Sequence, residues 1–581
     1  MKRITFWKAT KSSIILIPVV MALIFVFLYK VTGIYYGIND DTSMMGIASG
    51  KYTGIPDGHT VFIRYALGVA ISALYRIDST IDWYGLSLLF CMYFSLCLLI
   101  IVLFEATRKA NNRLYIRIGG ICVVLLLSLK YLIFFQFTTV AGITCATALF
   151  LIAVNKNQDN KLYIFIEVIL FILTDMIRRK VFLMGVPFAL LLIMANIFEP
   201  NEADENSLFD IKYIIKSRLK KIIQYGIIIG GILSCIILVE FVENIAYSSE
   251  EWSNYRQYKS YRAQIVDYNG FPVYEGNEAF WDSLDISAEE QAILPSSFGI
   301  LPDIDYKDLQ SIALYSKETK QTTFTNVLSF LYQSIIAGNI MLKVILFFVL
   351  FVVAYLCLNK KVSLYLKFKL IALIALALAE MLYIAWNGRL PARVFYVWLI
   401  LIASCVFGTV IDRAAEEANY AKLMHEKVIL FCSFLVIVAV NIYSAFNIYM
   451  DVQKYNTDIE IYQSYTTYLQ NYEDIIFVVD TGIVNSRKRY FIHNEDIKLN
   501  TIGSRGWSST LPLLVEYEKS KGLDPEEIFL VQENVRYLTV NMDRILQMDN
   551  YLKSIGYAVN YEIVDDFSLS NGGIIYVVEW K

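Results

Sequence analysis

The chain has 581 residues, 57% of them hydrophobic and only 18% charged, with a formal net charge of -3. Long uncharged apolar runs recur over most of that length, which marks a polytopic membrane protein and excludes an ordinary soluble class. The near-neutral balance offers no charge excess for nucleic acid. The eight cysteines, from Cys91 and Cys97 to Cys432, fall in apolar segments, so the large polar regions hold no disulfide framework.

The basic N-terminus "MKRITFWKATKSS" precedes an apolar run too long for a signal-peptide core and without a small-residue cleavage site, so it reads as a retained first helix. Spans of roughly 16 to 23 residues, near the ~20 needed for ~30 Å of hydrocarbon, begin with Ser13 to Lys30, Trp83 to Phe104, Ile118 to Phe135 and Thr138 to Val154. Leu162 to Ile177, Val181 to Phe198 and Ile222 to Val242 follow. Ile340 to Leu358, Leu364 to Trp386, Val394 to Ile411 and Val428 to Tyr449 bring the expected number to eleven. The run from Gly119 to Val154 would be about 54 Å as one helix, so it must fold back near Gln136 to Thr138.

Basic clusters set the orientation. Lys2, Arg3, Lys8 and Lys11, then Arg108 to Arg117, Lys212 to Lys221, and Lys360 with Lys361 share one side if the N-terminus is cytoplasmic. That parity requires the apolar stretch Val61 to Arg76 to lie along the outer interface as a juxtamembrane helix. The expected organisation is a membrane region 1–242 with a first outer loop 32–82, an extracytoplasmic loop 243–325, a second membrane region 326–449, and an extracytoplasmic α/β domain 450–581. In that domain "DIIFVVD", "RYFIHN", "IFLVQ" and "IIYVVEW" read as strands, while Ser509 to Lys521 and Met542 to Ile555 have helical spacing. About 130 residues are enough for it to bury a core of its own.

Two features carry chemistry. Asp40 and Asp41 lie just beyond the outer end of the first span, where a carboxylate can take a proton from an incoming hydroxyl or hold a divalent cation. One of them could instead cap the helix starting "TSMMGIAS", but two in succession, followed by Lys51, Asp57 and His59 in a Gly-rich loop, exceed what a cap needs. Arg178, Arg179 and Lys180 form a short outer turn, and Arg389 and Arg393 lie in "WNGRLPARVFY" in another, although short outer loops usually avoid Lys and Arg. Arginine grips phosphate oxygens with two parallel donors, and at the outer leaflet the phosphate belongs to a lipid. Snorkelling anchors, or partners for acids such as Asp175, are the alternative reading of the same residues. Together the carboxylates and arginines suggest glycosyl transfer from a polyprenyl-phosphate sugar: an activated hydroxyl attacks as the phosphate leaves.

The chain resembles the GT-C superfamily of integral-membrane glycosyltransferases, particularly bacterial surface-polysaccharide members related to the glucosyltransferases of O-antigen modification. The resembling pieces are "NDD", "SGKYTGIPDGH", "FFQFTTVAG", "MIRRKVFLMGVPF", "NGRLPARVF" and, in the long outer loop, "YRAQIVDYNGFPVY" with "LDISAEEQAIL". The resemblance implies a GT-C-like polytopic α-helical fold and a first-loop catalytic acid at Asp40 or Asp41. It places donor-phosphate contacts at Arg178 or Arg179, Arg389 and Arg393, and supports at Arg262 and Asp267; Asn39, Asp57 and His59 would then face substrate. It also implies an inverting displacement, with a lipid-linked sugar, a glycan acceptor and membrane lipid as partners. The adjacent acids depart from the one-residue spacing by which metal-dependent oligosaccharyltransferases hold their ion, which leaves a requirement for Mg or Mn open.

Two other classes compete. A polysaccharide polymerase or ligase would use a long outer loop rich in Arg and Tyr, and "YRQYKSYRAQ" supplies Arg256 and Arg262. A lipid-linked saccharide flippase would place acids at the midplane and carry broken helices; Glu167 and Glu380 lie within spans, but clear broken-helix pairs are lacking. In the tail, Trp507 of "SRGWSST" can stack on a sugar or belong to the domain's core.

Overall fold

The computed structural model describes residues 11–108, 113–155, 160–199, 211–297, 301–302, 304–320, 323–336, 340–360, 362–388, 390–416, 424–472, 474–480, 500–503, 506–508, 510–568 and 573–581. The first half runs α1 (Lys11–Val31), β1 (Tyr35–Tyr36), α2 (Asn39–Ala48), α3 (Tyr65–Ile77), α4 (Trp83–Ala106), α5 (Arg113–Ile133), β2 (Phe134–Phe135), α6 (Phe137–Val154), α7 (Lys161–Phe198) and α8 (Ile211–Ala246). A helical insertion follows, with α9 (Glu250–Arg262), a π-helical turn (Ala263–Asn269), α10 (Glu278–Asp282), α11 (Ala288–Ser297), α12 (Tyr306–Thr319) and α13 (Phe324–Ile336). The chain then returns to long helices, α14 (Ile340–Leu358), α15 (Leu364–Trp386), α16 (Ala392–Glu416) and α17 (Met424–Gln470).

Ten helices among the described residues are long and apolar enough to cross a membrane. They accommodate the eleven expected spans because α7 is two of them. Its backbone leaves the helical region at Arg178 (φ -157°, ψ 98°), and the rings of Phe171 and Phe182 lie 6.2 Å apart. In a straight helix those residues would be about 16 Å apart along the axis, so α7 is a hairpin with Arg178 at its tip. The expected fold-back between α5 and α6 is also present: Phe134 and Phe135 leave the helix and pair in parallel with Tyr35 and Tyr36, which ties two loops together at one end of the bundle.

The centre of the bundle is α6, buried along almost its whole length. Its small residues, Ala141, Gly142, Ala146 and Ala148, let α4, α7 and α16 approach closely. Its hydroxyls are satisfied internally, Thr144 donating to the Val140 carbonyl (2.9 Å) and Thr147 to that of Ile143 (2.8 Å). At the bundle end remote from β1 and β2, basic side chains cap helix carbonyls. Arg117 donates to Phe104 O (2.7 Å), Arg218 to Glu199 O (2.6 Å) and Lys221 to Asn196 O (3.2 Å), where a cation also suits the helix dipole.

The stretch expected to lie along the interface forms α3, whose buried face is Gly68, Ile71, Ser72 and Tyr75 while Val69 and Ile77 are exposed. The helix expected from "TSMMGIAS" begins earlier, at Asn39, with Ile38 in the cap position and no side-chain cap. Neither aspartate is therefore the cap.

The C-terminal part contains β3 (Ile476–Val479), β4 (Thr501–Gly503), α18 (Pro512–Ser520), a 3-10 turn (Phe529–Val531), β5 (Val535–Thr539), α19 (Met542–Ser554), β6 (Tyr561–Ser568) and β7 (Ile574–Trp580). The sheet order is β4-β3-β5-β7-β6, with β4, β3 and β5 parallel and β7 antiparallel to both neighbours. "DIIFVVD" and "IIYVVEW" form strands as expected, and "RYFIHN" lies outside the described residues. "IFLVQ" does not form a strand: it makes the 3-10 turn, and the next residues, "VRYLT", take the strand position. One core joins Val478, Tyr537 and Val578 of the sheet to Trp281, Ile293 and Ile312 of the insertion, so the two polar regions build a common layer above the helices.

The docking of α3 depends on one glycine. A Cβ on Gly68 would lie 2.1 Å from the Gly58 carbonyl oxygen, an overlap only backbone movement can relieve. Gly68→Ala is expected to lower stability by about 1–3 kcal/mol, read as a fall in the midpoint of thermal unfolding in detergent.

Candidate functional site

The first turn of α2 places two carboxylates at the positive end of a helix. Asp41 is fully buried (0% exposed). Its Oδ1 accepts from the Tyr84 hydroxyl (2.9 Å) and from the Phe137 backbone N–H (3.1 Å), while Oδ2 is buried with no hydrogen-bond partner among the described residues. Burial pushes its carboxyl well above the usual range, against the pull of Tyr84, Phe137 and Arg393. Asp40 is half-buried, and its Oδ1 accepts from the Trp507 indole N–H at 2.9 Å.

Two cations, Arg178 and Arg393, act on these acids, and a third, Lys259, shares the Phe62 ring with Arg178. The Arg178 guanidinium lies over the rings of Phe62 (5.2 Å) and Phe137 (5.0 Å), and its field includes Arg393, Asp40, Tyr268 and Asp41. Arg393, in the first turn of α16, also acts on Asp41. Lys259 of α9 sits 4.4 Å from the Phe62 ring centroid and donates to the Val61 carbonyl (3.0 Å). Burial, reinforced by the Arg178 charge, pushes the Lys259 ammonium down to about 7. Like charges held this close repel unless an anion lies among them, which is the electrostatic form of a phosphate site.

The other expected residues are placed elsewhere. Arg179 pairs with Glu240, in a cluster where Arg64 meets Glu240 (2.7 Å), Glu243 (3.0 Å) and Asp175 (3.4 Å). That arrangement follows the anchoring alternative. Asp57 and His59 form a second cluster: the His59 ring stacks on Trp252 with centroids 4.3 Å apart, Nδ1 lies 2.7 Å from Asp57 Oδ1, and Nε2 lies 3.1 Å from the Ala246 carbonyl. With both ring nitrogens engaged, this histidine braces the loop against α9. Arg262 ends α9 with a buried Nε that has no hydrogen-bond partner among the described residues. Asp267 belongs to the π-helical turn, whose next residue, Tyr268, lies in the field of Arg178. Asn39 opens α2, and Arg389 lies outside the described residues.

Lys259 and Phe62 were not singled out from the sequence. The signal for Lys259 was available, because Trp252, Tyr255, Lys259 and Arg262 recur at helical spacing along one face of α9. Asp40 and Asp41 each have one oxygen held by a protein donor, and among the described residues no group of three or more His, Cys, Asp or Glu side chains is placed to hold a metal ion.

No family model matches the chain, and no curated protein matches it. Among solved structures it is similar to the crystal structure of ArnT from Cupriavidus metallidurans bound to undecaprenyl phosphate, with a TM-score of 0.39 and 9% sequence identity over 98% of this chain and 98% of that one. What the site can do follows from its own residues.

Lys259 gives the first check. Its ammonium should titrate near pH 7 in the folded protein, not near the ordinary value of about 10.4, and Arg178→Gln should raise the midpoint by removing a like charge. The 13C shift of dimethylated Lys259, followed against pH in both proteins, reads this directly; a midpoint in the ordinary lysine range contradicts the geometry.

Proposed function

We infer that the protein is a membrane glycosyltransferase that moves a sugar from a polyprenyl-phosphate donor to a hydroxyl of a glycan acceptor at the extracytoplasmic face. The observation that carries this reading is the half-buried carboxylate of Asp40 in the field of Arg178, with Arg393 acting on the adjacent Asp41 and Lys259 sharing the Phe62 ring with Arg178, at one end of a bundle of apolar helices. The sidedness rests on Arg117, Arg218 and Lys221 capping helices at the opposite end, which the positive-inside rule assigns to the cytoplasm.

In this reading Asp40 is the base. Its carboxylate takes the proton of the acceptor hydroxyl, the hydroxyl oxygen forms a bond to the anomeric carbon, and the bond from that carbon to the phosphate oxygen breaks with its electron pair going to the phosphate. Arg178, Arg393 and Lys259 offset the charge that grows on the leaving group, an interaction stronger in the transition state than in the ground state. Displacement from the opposite face inverts the anomeric centre. Asp41, fully buried and tied to Tyr84 and Phe137, holds the start of α2 in place.

The test uses purified protein in liposomes with a panel of polyprenyl-phosphate sugars and glycan acceptors, following donor consumption. Asp40→Asn is expected to lower turnover by about 10²–10⁴-fold, the range of a lost general base, with donor affinity little changed. Asp41→Asn should lose less turnover and more thermal stability. If Asp41→Asn is the inactive variant while Asp40→Asn remains active, the roles are reversed; if wild type consumes no donor, the transferase reading fails.

A further inference from the structure

Asp40 has one hydrogen-bond donor among the described residues, and it comes from the far end of the chain, 467 residues away: the indole N–H of Trp507. The indole is fixed from several sides. It is 8% exposed, it meets the Phe62 ring in a T-shaped contact with centroids 4.9 Å apart, and its backbone carbonyl accepts from the Tyr255 hydroxyl at 2.9 Å. Leu511 and Leu514, just beyond it, join the core of the membrane helices and not that of the sheet. A ring this enclosed offers little surface on which a sugar could stack.

We propose that Trp507 is a positioning residue through which the C-terminal part of the chain orients the Asp40 carboxylate for proton abstraction. The proposal rests on the reading of Asp40 as the base. Chemistry favours a neutral donor in this place. An arginine bonded to Asp40 would hold it equally well, but its charge would weaken the carboxylate as a base. Here the Arg178 guanidinium is kept over Phe62 and Phe137 without an ion pair to Asp40, and the indole supplies direction without charge. With Oδ1 engaged, the second oxygen is the one left for the acceptor hydroxyl. Tyr255 extends the link, because it lies on α9 one turn from Lys259, so the base and one phosphate-binding cation are set by the same short chain of contacts.

The test compares wild type, Trp507→Phe and Tyr255→Phe in the liposome assay, with Asp40→Asn as reference. Trp507→Phe keeps a buried aromatic ring and removes the donor, with a loss of ring volume that the unfolding midpoint reads separately. It is expected to lower kcat by about 10- to 100-fold with the donor KM nearly unchanged, and to move the acid limb of the pH–rate profile upward, since losing a hydrogen bond to the charged form favours protonation. Tyr255→Phe should shift both readouts in the same direction by less. A merely structural role would lower the unfolding midpoint and change kcat and KM together without moving the acid limb. A second readout is independent of turnover: with 15N-indole labelling, the Trp507 N–H resonance should shift upfield in Asp40→Ala. Wild-type kinetics in Trp507→Phe beside an inactive Asp40→Asn overturn the proposal and leave the transferase reading standing, whereas an active Asp40→Asn removes the base assignment itself.

Discussion

The arrangement depends on a buried carboxylate that must find partners. Asp41 has no access to water, and an unpaired acid there costs several kcal/mol. The contact joins three places in the sequence: Asp41 on α2 and its two partners, Tyr84 at the start of α4 and the backbone N–H of Phe137 at the start of α6. The parallel pairing of Tyr35 and Tyr36 with Phe134 and Phe135 lies immediately before two of these positions. Asp82 repeats the device beside it, accepting from Tyr36 (2.6 Å) and Tyr75 (3.0 Å) while capping α4 through the Gly85 N–H (3.1 Å). Two acids thus fix the ends of four helices at one level, and Asp40, next to the first of them, is fixed at that level too.

On this platform Phe62 separates the charges. Its ring has Arg178 at 5.2 Å, Lys259 at 4.4 Å and Trp507 at 4.9 Å. A cation against an aromatic face is held by about 0.5–2 kcal/mol, less than a buried ion pair with a carboxylate would give. That difference matters, because an Arg178 bonded to Asp40 would neutralise both groups before any substrate arrived. The turn's other arginine, Arg179, is spent on Glu240. The network around Arg64 to which Glu240 belongs is one whose disruption typically costs about 3–5 kcal/mol where it is buried, and it holds α3, the α7 tip and the end of α8 together.

Most of the helical architecture was legible because apolar length is a strong signal. Even the α7 hairpin was readable, since "RRK" interrupts an apolar run too long for one crossing. Which of two adjacent arginines faces the acids was not, because neighbouring residues at a broken turn point in directions set by tertiary contacts. The Asp57 and His59 pair looked chemical in a Gly-rich loop, and only the stacking on Trp252 shows what occupies the ring. In the sheet, "IFLV" and "VRYL" are short apolar runs that periodicity cannot separate. The edge strand β6 was hidden by Glu562, Asp565 and Asp566, charges that suit an exposed edge but do not read as a strand. Trp507 could be seen as an aromatic near polar residues; its bond to Asp40 spans nearly the whole chain and leaves no local trace.

That long-range bond also explains why the polar insertion and the tail share a core. Had the sheet folded entirely on its own, its position relative to α2 would be set only by the linker from α17, and a hydrogen bond to Asp40 tolerates errors of only a few tenths of an ångström before it weakens. Joining Val478 and Val578 to Trp281 and Ile312 anchors the sheet to the insertion that begins with α9. Tyr255 then places the carbonyl of Trp507 from α9 itself. The sheet reaches the carboxylate through the same helix that carries Lys259, so the precision at Asp40 comes from packing on both sides of α9 and not from the long loops between.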